Sequence, residues 1–344
     1  MMLMQDSPEK PTFGTFGLYR WLLASMVMLN HLGPNQYGYC GGRAVYAFFL
    51  LSGYIVSYIL DTHYLHIHNG KFKFYLNRGL RIFPAYWLVM LATLPFAARF
   101  PDIAHSINGS LGVPQNSNDW LVNITVIGID NIVGGLAPNT LVPPAWSLAV
   151  ELIGWMLLAW VVGKKSALRN FIILAIAYRL FLIYLVRWIH FRSVALGFFS
   201  PLACLFCFAL GTILHHRRKW GFKDIPLKTG RVVLLMPILI FVINIDFHIC
   251  VLMNCITIYY LSGIETKRLP AWLQRLDKFM GDLAYPLFLV HMLLALIFLA
   301  YRPELHTNSW PLFWTVLPVA NAVAILMHYG IELPVNKLRR VIKC

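Results

Sequence analysis

Apolar segments long enough to cross a lipid bilayer recur along this sequence and constrain its fold more than any other feature. Their hydropathy delimits ten of them, at about 14–33, 43–62, 83–100, 144–162, 169–189, 195–214, 231–247, 248–263, 282–301 and 311–331. The chain is 59% hydrophobic and only 12% charged, too few charges for a water-soluble domain to cover this apolar surface. The sequence therefore predicts an all-α polytopic membrane protein with about ten transmembrane helices in a lipid bilayer.

The distribution of Lys and Arg predicts how these helices are oriented. If the N-terminus is cytoplasmic, 22 of the 29 Lys and Arg residues lie in the N-terminal segment or in the inner connections 63–82, 163–169, 215–231, 264–281 and 332–344. The longest outer loop, 101–143, has none, and its Asn, Gly and Pro content predicts little helical structure. Because cytoplasmic loops of membrane proteins are enriched in Lys and Arg, we expect both termini in the cytoplasm. The net charge of +15 then reports topology and implies no nucleic-acid partner.

The chain reads as a single membrane domain covering residues 1–344, with a cytoplasmic N-terminal segment (1–13) and a basic cytoplasmic tail (332–344). No cleavage-site pattern follows the first residues, so we expect the first apolar segment to be retained. Cys204 and Cys207 have C-x-x-C spacing but no second ligand pair beside them, so no metal is expected.

Arg20 and His31 are two ionisable residues in the first apolar segment, eleven positions apart. Eleven residues make about three helical turns, so both side chains leave the same face, roughly 16 Å apart along the axis. Arg20 could instead snorkel to the inner interface, and His31 could be an interfacial histidine. Ionisable residues within a membrane are usually functional, and their shared face favours an enzyme whose active site lies within the bilayer.

Glu151 lies about 10 Å below the outer end of the fourth predicted helix. At that depth a carboxylate must be protonated, paired with a cation or facing a wet cavity. One interpretation is a structural ion pair with Arg179 of the fifth segment. The other, which we favour, is a partner that orients or charges a histidine.

Arg78 and Arg81, just before the third apolar segment, are neighbours on a helical turn. Two guanidinium groups there suit the phosphates of an anionic cofactor, although lipid headgroups are an alternative. Ser52 and Gly53 in the second segment allow close helix approach, which packing alone would explain. His291 lies near the middle of the ninth segment, where an interfacial role is difficult to assign.

In their order along the chain, these motifs resemble those of the acyltransferase 3 family of integral-membrane acyltransferases, over essentially the whole sequence. The matching residues are Arg20 and His31; Phe48 to Gly53; Arg78, Arg81, Ile82, Pro84 and Tyr86; Trp146, Ser147, Leu148 and Glu151; Tyr285, Leu289 and His291; and Glu332 with Pro334. The chain departs from the late Tyr-x-x-Tyr-Leu-x-His motif at Phe288, where the family's second tyrosine is missing, and at Ala284, which replaces a serine.

The resemblance implies transfer of an acyl group, usually acetyl from acetyl-CoA, to a hydroxyl of a cell-envelope glycan or glycolipid, such as lipopolysaccharide or another surface polysaccharide, in the bacterial inner membrane. Such transfer needs a base for the hydroxyl proton and a donor for the carbonyl oxyanion. In the resulting hypothesis His31 is the general base, Glu151 stabilises its imidazolium, and Arg20 lines the donor channel or steadies the thioester. An acyl-histidine intermediate is a variant.

The same hypothesis assigns the remaining motif residues to binding. The acetyl-CoA contacts are assigned to Arg78, Arg81, Tyr86 and Ser52. Contacts with the acceptor substrate, or supporting roles, are assigned to Trp146, Ser147, Tyr285 and His291.

A proton-coupled small-molecule transporter is the main alternative, since intramembrane Arg, Glu and His also serve carriers. It would favour paired discontinuous helices and internal repeats, and neither can be recognised in this sequence. A non-catalytic scaffold or sensor is a third interpretation, which would leave the polar motifs unexplained.

Overall fold

The computed structural model describes residues 16–129, 139–188, 200–217, 246–264 and 269–343. Those residues form helices and their connections, with one isolated bridge between Leu111 and Thr140 and no strand. The α-helices are α1 (Phe16–Leu32), α2 (Cys40–Thr62), α3 (Gly70–Arg99), α4 (Pro101–Ile107), α5 (Ser117–Thr125), α6 (Trp146–Val161), α7 (Lys165–Trp188), α8 (Pro201–His216), α9 (Phe247–Gly263), α10 (Ala271–Tyr301), α11 (Trp310–Met327) and α12 (Leu333–Lys343). A π-helical turn, His328–Glu332, joins α11 to α12. The predicted all-α class is confirmed.

Six helical stretches in the described residues are long and apolar enough to cross a membrane. They are Asn35–His66, Gly70–Arg99, Pro143–Val161, Lys165–Trp188, Ala271–Tyr301 and Trp310–Ile342. The shorter helices α1, α8 and α9 also coincide with predicted segments, whereas the predicted segment 231–247 lies almost wholly outside the described residues. Ten spans and two cytoplasmic termini therefore stay predictions.

Glycines bring α1 against α10 at the position of Arg20. A Cβ atom on Gly17 would lie 1.7 Å from the backbone oxygen of Asp277, and one on Gly281 would lie 2.6 Å from Nη2 of Arg20. The Asp277 carboxylate accepts hydrogen bonds from the backbone N–H groups of Gly17 and Leu18, at 3.1 and 2.9 Å. It thereby satisfies donors that the first turn of a helix leaves open. This contact both caps α1 and fixes Arg20 beside α10.

Helices α2 and α8 also pack closely through small residues. A Cβ on Gly53 or on Gly211 would lie 2.4 or 2.1 Å from a backbone oxygen of the other helix. Next to these glycines, the hydroxyls of Ser57 and Thr212 are hydrogen-bonded at 2.7 Å. The close helix approach predicted at the Ser-Gly motif is thus made with α8.

Helix α3 starts well before the apolar segment predicted at 83–100, so the basic motif that precedes this segment is helical. From α10, the Tyr285 hydroxyl donates a hydrogen bond to the backbone oxygen of Ile82 at 2.9 Å. From α12, Nη2 of Arg339 donates to Oδ1 of Asn77 at 2.9 Å. Helices α10 and α12 therefore both contact α3 around its arginines.

The loop 101–143 contains more helix than the sequence predicts. It includes α4 and α5, and Asn116 caps α5 by accepting a hydrogen bond from the backbone N–H of Asp119 at 2.9 Å. The expectation of little helical structure was wrong here because a side-chain cap and packing against α3 stabilise a short helix that has weak hydropathy periodicity.

Candidate active site

A cavity of about 160 Å³ lies between α1, α2, α3, α6 and α10. We refer to it as the arginine cavity, because three arginines line it together with one carboxylate. The residues predicted from sequence that share its lining are Arg20, Ser52, Arg78, Arg81, Ser147, Glu151 and Tyr285. Motifs separated by up to 265 positions in the chain (Arg20 to Tyr285) thus meet around one space.

The carboxylate of Glu151 belongs to a polar chain within this lining. Nε1 of Trp155 donates a hydrogen bond to Oγ of Ser52 at 2.6 Å, which leaves the Ser52 hydroxyl proton for an acceptor. The side chains of Glu151 and Ser52 are hydrogen-bonded to each other. The Glu151 carboxylate also interacts electrostatically with Arg78 and Arg81. The chain Trp155–Ser52–Glu151 therefore links α2 and α6 beside the two arginines of α3.

Aromatic rings hold the guanidinium groups of the α3 arginines. The Arg78 guanidinium lies 5.2 Å from the ring centroid of Trp155 and 5.3 Å from that of Phe74, and Arg81 lies 5.9 Å from that of Tyr285. Among the described residues, Nε of Arg78 is buried without a hydrogen-bond acceptor. A guanidinium above an aromatic ring does not use its N–H donors in that contact, so Nε of Arg78 stays available for an anionic ligand.

The charges around the arginine cavity are unevenly balanced. Arg20 lies in the field of three carboxylates, Asp277, Asp282 and Glu332. Arg78 and Arg81, in contrast, share Glu151. Glu332 also lies beside Arg81, but its charge acts on Arg20 and Arg339 as well. The excess positive charge therefore lies at the α3 arginines.

Arg339 adds a third guanidinium next to the arginines of α3. It lines a small neighbouring cavity together with Arg81 and Glu332, and its charge reaches both Arg78 and Arg81. The sequence analysis placed this residue in the basic tail and interpreted it as a topology signal. Only the contact between α12 and α3 shows that it belongs beside the arginine motif.

A second cavity, of about 380 Å³, contains His31 in its lining and is referred to as the histidine cavity. Trp146 also lines it, as does Arg43 from the first turn of α2. The Arg43 guanidinium lies 4.3 Å from the ring centroid of Tyr39, and the residue is 7% exposed. The sequence analysis did not predict Arg43 as a site residue, because it lies outside every recognised motif. The feature that could have indicated it is its position, an arginine at the start of an apolar segment.

His291 of α10 lies next to His31 of α1. Their rings are stacked with centroids 5.5 Å apart. Nδ1 of His291 lies 2.8 Å from the carbonyl oxygen of Phe288, and a carbonyl can only accept, so Nδ1 carries the proton. Nε2 of His291 is then an acceptor, buried and without a hydrogen-bond partner in the described part of the chain.

The two cavities meet at Val45 of α2 and Phe288 of α10, which line both of them. On α10, Phe288 is also the residue whose carbonyl oxygen fixes the ring of His291. The arginine cavity and the histidine cavity are therefore neighbouring compartments with a common apolar wall.

Glu151 and His31 are not brought together. Glu151 lines the arginine cavity, where its carboxylate interacts electrostatically with Arg78 and Arg81. His31 lines the histidine cavity, next to His291. The predicted role of Glu151 as a partner of the His31 imidazolium therefore does not fit this geometry.

The alternative ion pair between Glu151 and Arg179 is not formed either. The guanidinium of Arg179 lies 4.9 Å from the ring centroid of Phe206 and 5.1 Å from that of Phe247, with Nη2 3.3 Å from Nε2 of His248. Arg179 therefore belongs to the contact of α7 with α8 and α9.

Tyr86, which the hypothesis assigned to acetyl-CoA, lies outside both cavity linings. Its hydroxyl donates a hydrogen bond to the backbone oxygen of Asn123 at 2.6 Å, and the side chain is fully buried. Since five helical positions correspond to a rotation of about 140°, Tyr86 leaves α3 in a different direction from Arg81. In this structure it anchors α5 to α3.

Comparison with known protein families identifies one match, to the acyltransferase 3 model, described as an acyltransferase domain, over residues 13–329. The comparisons with curated proteins and with solved structures gave no match. The matched range contains all the residues that line the arginine cavity and the histidine cavity. The chain therefore belongs to the acyltransferase 3 family.

Proposed function

We propose that the protein is an O-acyltransferase of the bacterial inner membrane that transfers an acetyl group from acetyl-CoA to a hydroxyl of a cell-envelope glycan, such as lipopolysaccharide or another surface polysaccharide. The observation that carries the proposal is the wall of Val45 and Phe288 common to both cavities. A thioester that enters through the arginine cavity and a hydroxyl that enters the histidine cavity would meet at this wall.

The donor is assigned to the arginine cavity because of its charge. Arg78 and Arg81 hold unbalanced positive charge with their guanidinium faces on aromatic rings, and Arg339 lies next to them. Guanidinium groups bind phosphate oxygens in a bidentate manner. The phosphates of CoA would bind here, with the pantetheine arm directed along the cavity toward Phe288.

His31 is assigned as the general base. It lines the larger cavity, and a neutral imidazole can accept the proton of an acceptor hydroxyl. As the hydroxyl oxygen attacks the thioester carbon, the proton moves to His31, the C–S bond breaks, and the proton passes to the departing CoA thiolate. The products are the ester and free CoA. No atom changes its oxidation state in this step, so it needs neither an oxidant nor a metal ion.

Arg43 is assigned to the developing oxyanion, a role that the sequence had assigned to no residue. Arg20 lies about three helical turns, roughly 16 Å, from His31, too far for both to act on one carbonyl group. Arg43 lines the histidine cavity with His31, and a buried cation facing a developing negative charge lowers the barrier of acyl transfer. Arg20 then keeps a role along the donor route.

The experiment uses the full chain, purified and reconstituted in lipid nanodiscs, with acetyl-CoA labelled in its acetyl group and an envelope glycan fraction. We expect label in the glycan and an equal amount of free CoA. The His31→Ala variant should form both products far more slowly. The control is His105→Ala, which changes an exposed histidine of α4 and should leave the activity as in the wild type. CoA release without glycan labelling would reject the glycan acceptor. Uptake of a solute into closed proteoliposomes of the same protein, without CoA release, would favour a transporter.

Rapid denaturation of the same reaction at neutral pH separates the two catalytic variants, because an acyl-imidazole is hydrolysed quickly once it is protonated. Label that stays bound to the protein in the absence of acceptor, and that His31→Ala abolishes, would show an acyl-histidine intermediate. Unlabelled protein throughout turnover would support direct attack with His31 as base.

A further inference from the structure

The C-terminal ends of α2 and α8 bring together a carboxylate and two imidazoles that take no part in the proposed reaction. One ligand atom from each of Asp61, His215 and His216 lies within 4.8 Å of the other two. We propose that these three residues bind a divalent transition-metal ion, with Zn²⁺ the ion that their chemistry fits best.

The donor set supports this assignment. Carboxylate oxygen and imidazole nitrogen are the usual O and N ligands of Zn²⁺, which is commonly held by three protein groups with water in a fourth position. Other divalent first-row metals also accept this set, in the order of their general affinity. Mg²⁺ and Ca²⁺ prefer sites made entirely of oxygen, so two imidazoles argue against them.

The two helices that carry the ligands are held in a fixed relation. Next to the close approach at Gly53 and Gly211, the side chains of Ser57 and Thr212 are hydrogen-bonded to each other. One more turn along each helix reaches the ligands. Sites built on rigid elements hold their ligands with less reorganisation than sites on loops, so closing the ligand atoms onto an ion requires only small side-chain movement.

Several contacts are already formed within and beside the ligand group. Nε2 of His215 already lies 3.1 Å from Oδ2 of Asp61. The guanidinium of Arg217, the next residue, is 4.5 Å from the ring centroid of Tyr259 and donates to the carbonyl oxygen of Leu214 at 2.8 Å.

The backbone beside the carboxylate is also fixed, because the ring of His66 lies 2.7 Å from the carbonyl oxygen of Asp61.

The site is separate from the reaction centre. None of its three ligands lines the arginine cavity or the histidine cavity. A bound ion would join the ends of α2 and α8, and α2 carries both Ser52 and the wall residue Val45. Sequence spacing did not reveal the site, because Asp61 and His215 are 154 positions apart.

The test measures metal binding directly and is independent of acyl transfer. Full-length protein in detergent is stripped with a chelator, and Zn²⁺ affinity is determined by competition with a chromogenic chelator. We expect one Zn²⁺ per chain. His216→Ala should weaken binding by more than about 100-fold, which exceeds the usual effect of losing an outer-sphere partner.

Two further variants control for folding and location. Asp61→Asn keeps an oxygen acceptor for His215 but removes the charge, and it should also weaken Zn²⁺ binding. His68→Ala, an exposed histidine after α2, should bind as the wild type does. Binding should weaken on acidification, because imidazole and carboxylate must be deprotonated to bind a metal.

The visible absorption of Co²⁺ bound to the wild type reports the coordination number and gives a second measure that needs no variant. Bands of four-coordinate Co²⁺ that Zn²⁺ displaces would support the proposal. Absence of stoichiometric binding, or binding unchanged in both His216→Ala and Asp61→Asn, would overturn it and leave an Asp–His ion pair only.

Discussion

The imidazole rings of His31 and His291 are stacked, with their centroids 5.5 Å apart and their planes inclined by 24°. His291 is held in the Nδ1–H form by the carbonyl oxygen of Phe288 and is completely buried. Two imidazolium ions at this separation would repel each other. The pair is therefore suited to accept a single proton, and His31, which lines the cavity, is the member that can receive it from a substrate.

The first prediction concerns His31. His31→Ala should lower the turnover number by about 10²–10⁴-fold, the usual loss when a general base is removed, and should leave the affinity for acetyl-CoA unchanged. The proposed donor site is in the other cavity, so binding and turnover should be separable. Stopped reactions with labelled acetyl-CoA give turnover, and equilibrium binding to the same preparation gives affinity. Wild-type activity should fall on acidification, because a protonated imidazole cannot accept the hydroxyl proton.

His291→Gln is the matched comparison, since glutamine keeps a hydrogen-bonding side chain of similar length in a buried position. We expect a smaller loss than for His31→Ala, because His291 touches His31 rather than the cavity. A far greater loss in the His291 variant, with its fold intact, would assign the base to His291 instead.

The second prediction separates two roles for Glu151. The carboxylate of Glu151 offsets the positive charge of Arg78 and Arg81. Glu151→Gln removes this negative charge from beside the phosphate contacts, so it should lower the KM for acetyl-CoA by up to about 10-fold and change the turnover number little, the pattern of an interaction equally strong in ground and transition states. If Glu151 stabilised the His31 imidazolium, the turnover number would fall and its pH dependence would shift. Initial rates over a range of pH and acetyl-CoA concentration distinguish the two outcomes.

The third prediction tests the phosphate contacts. Arg78→Ala and Arg81→Ala should each weaken acetyl-CoA binding by about 10- to 100-fold, as expected for loss of a charge-assisted hydrogen bond. Lysine at either position should restore binding in part, since it keeps the charge but lacks the planar fork. Arg302→Ala is the control, because its side chain is 61% exposed and paired with Glu304. Unchanged affinity in a folded double variant would place the phosphate site elsewhere.

Most residues singled out in the sequence line one of the two cavities, but the sequence did not indicate how they are divided between them. Within one helix the grouping follows from angle: Ser147 and Glu151, four positions apart, line the same cavity, whereas Trp146 and Glu151, five apart, line different ones. A separation of four residues rotates the direction by about 40°, and one of five by about 140°. This division within α6 could have been read from the motif.

The rotation of one helix relative to another could not be predicted from residue spacing. Whether Glu151 faces His31 or Arg78 depends on the rotation of α6 against α2 and α8, which is set by contacts such as that of Gly154, where a Cβ would lie 2.6 Å from the ring of Phe208. Motif order carries no information about such contacts. For the same reason Arg339 was recognised as a basic residue but not as a neighbour of Arg81.

The fourth prediction concerns topology. The concentration of Lys and Arg in alternate connections, with none in 101–143, predicts that both termini face the cytoplasm and that this loop faces the opposite side. Reporter domains fused after Cys344 and inserted near Gln115, which is exposed, should therefore report opposite compartments. A reporter after Lys164, in the short connection between α6 and α7, should agree with the C-terminal one. The same compartment for all three would contradict the ten-span arrangement.

The last prediction tests the wall between the cavities. Phe288 lines both of them, so the size of this side chain should limit which acyl group can pass from donor to acceptor. Phe288→Ala should improve the use of butyryl-CoA relative to acetyl-CoA by about 10-fold or more, since each methylene accommodated in an apolar pocket changes discrimination by roughly 1–3 kcal/mol. Phe288→Trp should slow both donors without weakening CoA binding. Leu326→Ala, at an exposed position of α11, controls for general loss of apolar surface. An unchanged ratio of butyryl to acetyl transfer in a folded Phe288→Ala protein would show that the acyl group takes another route.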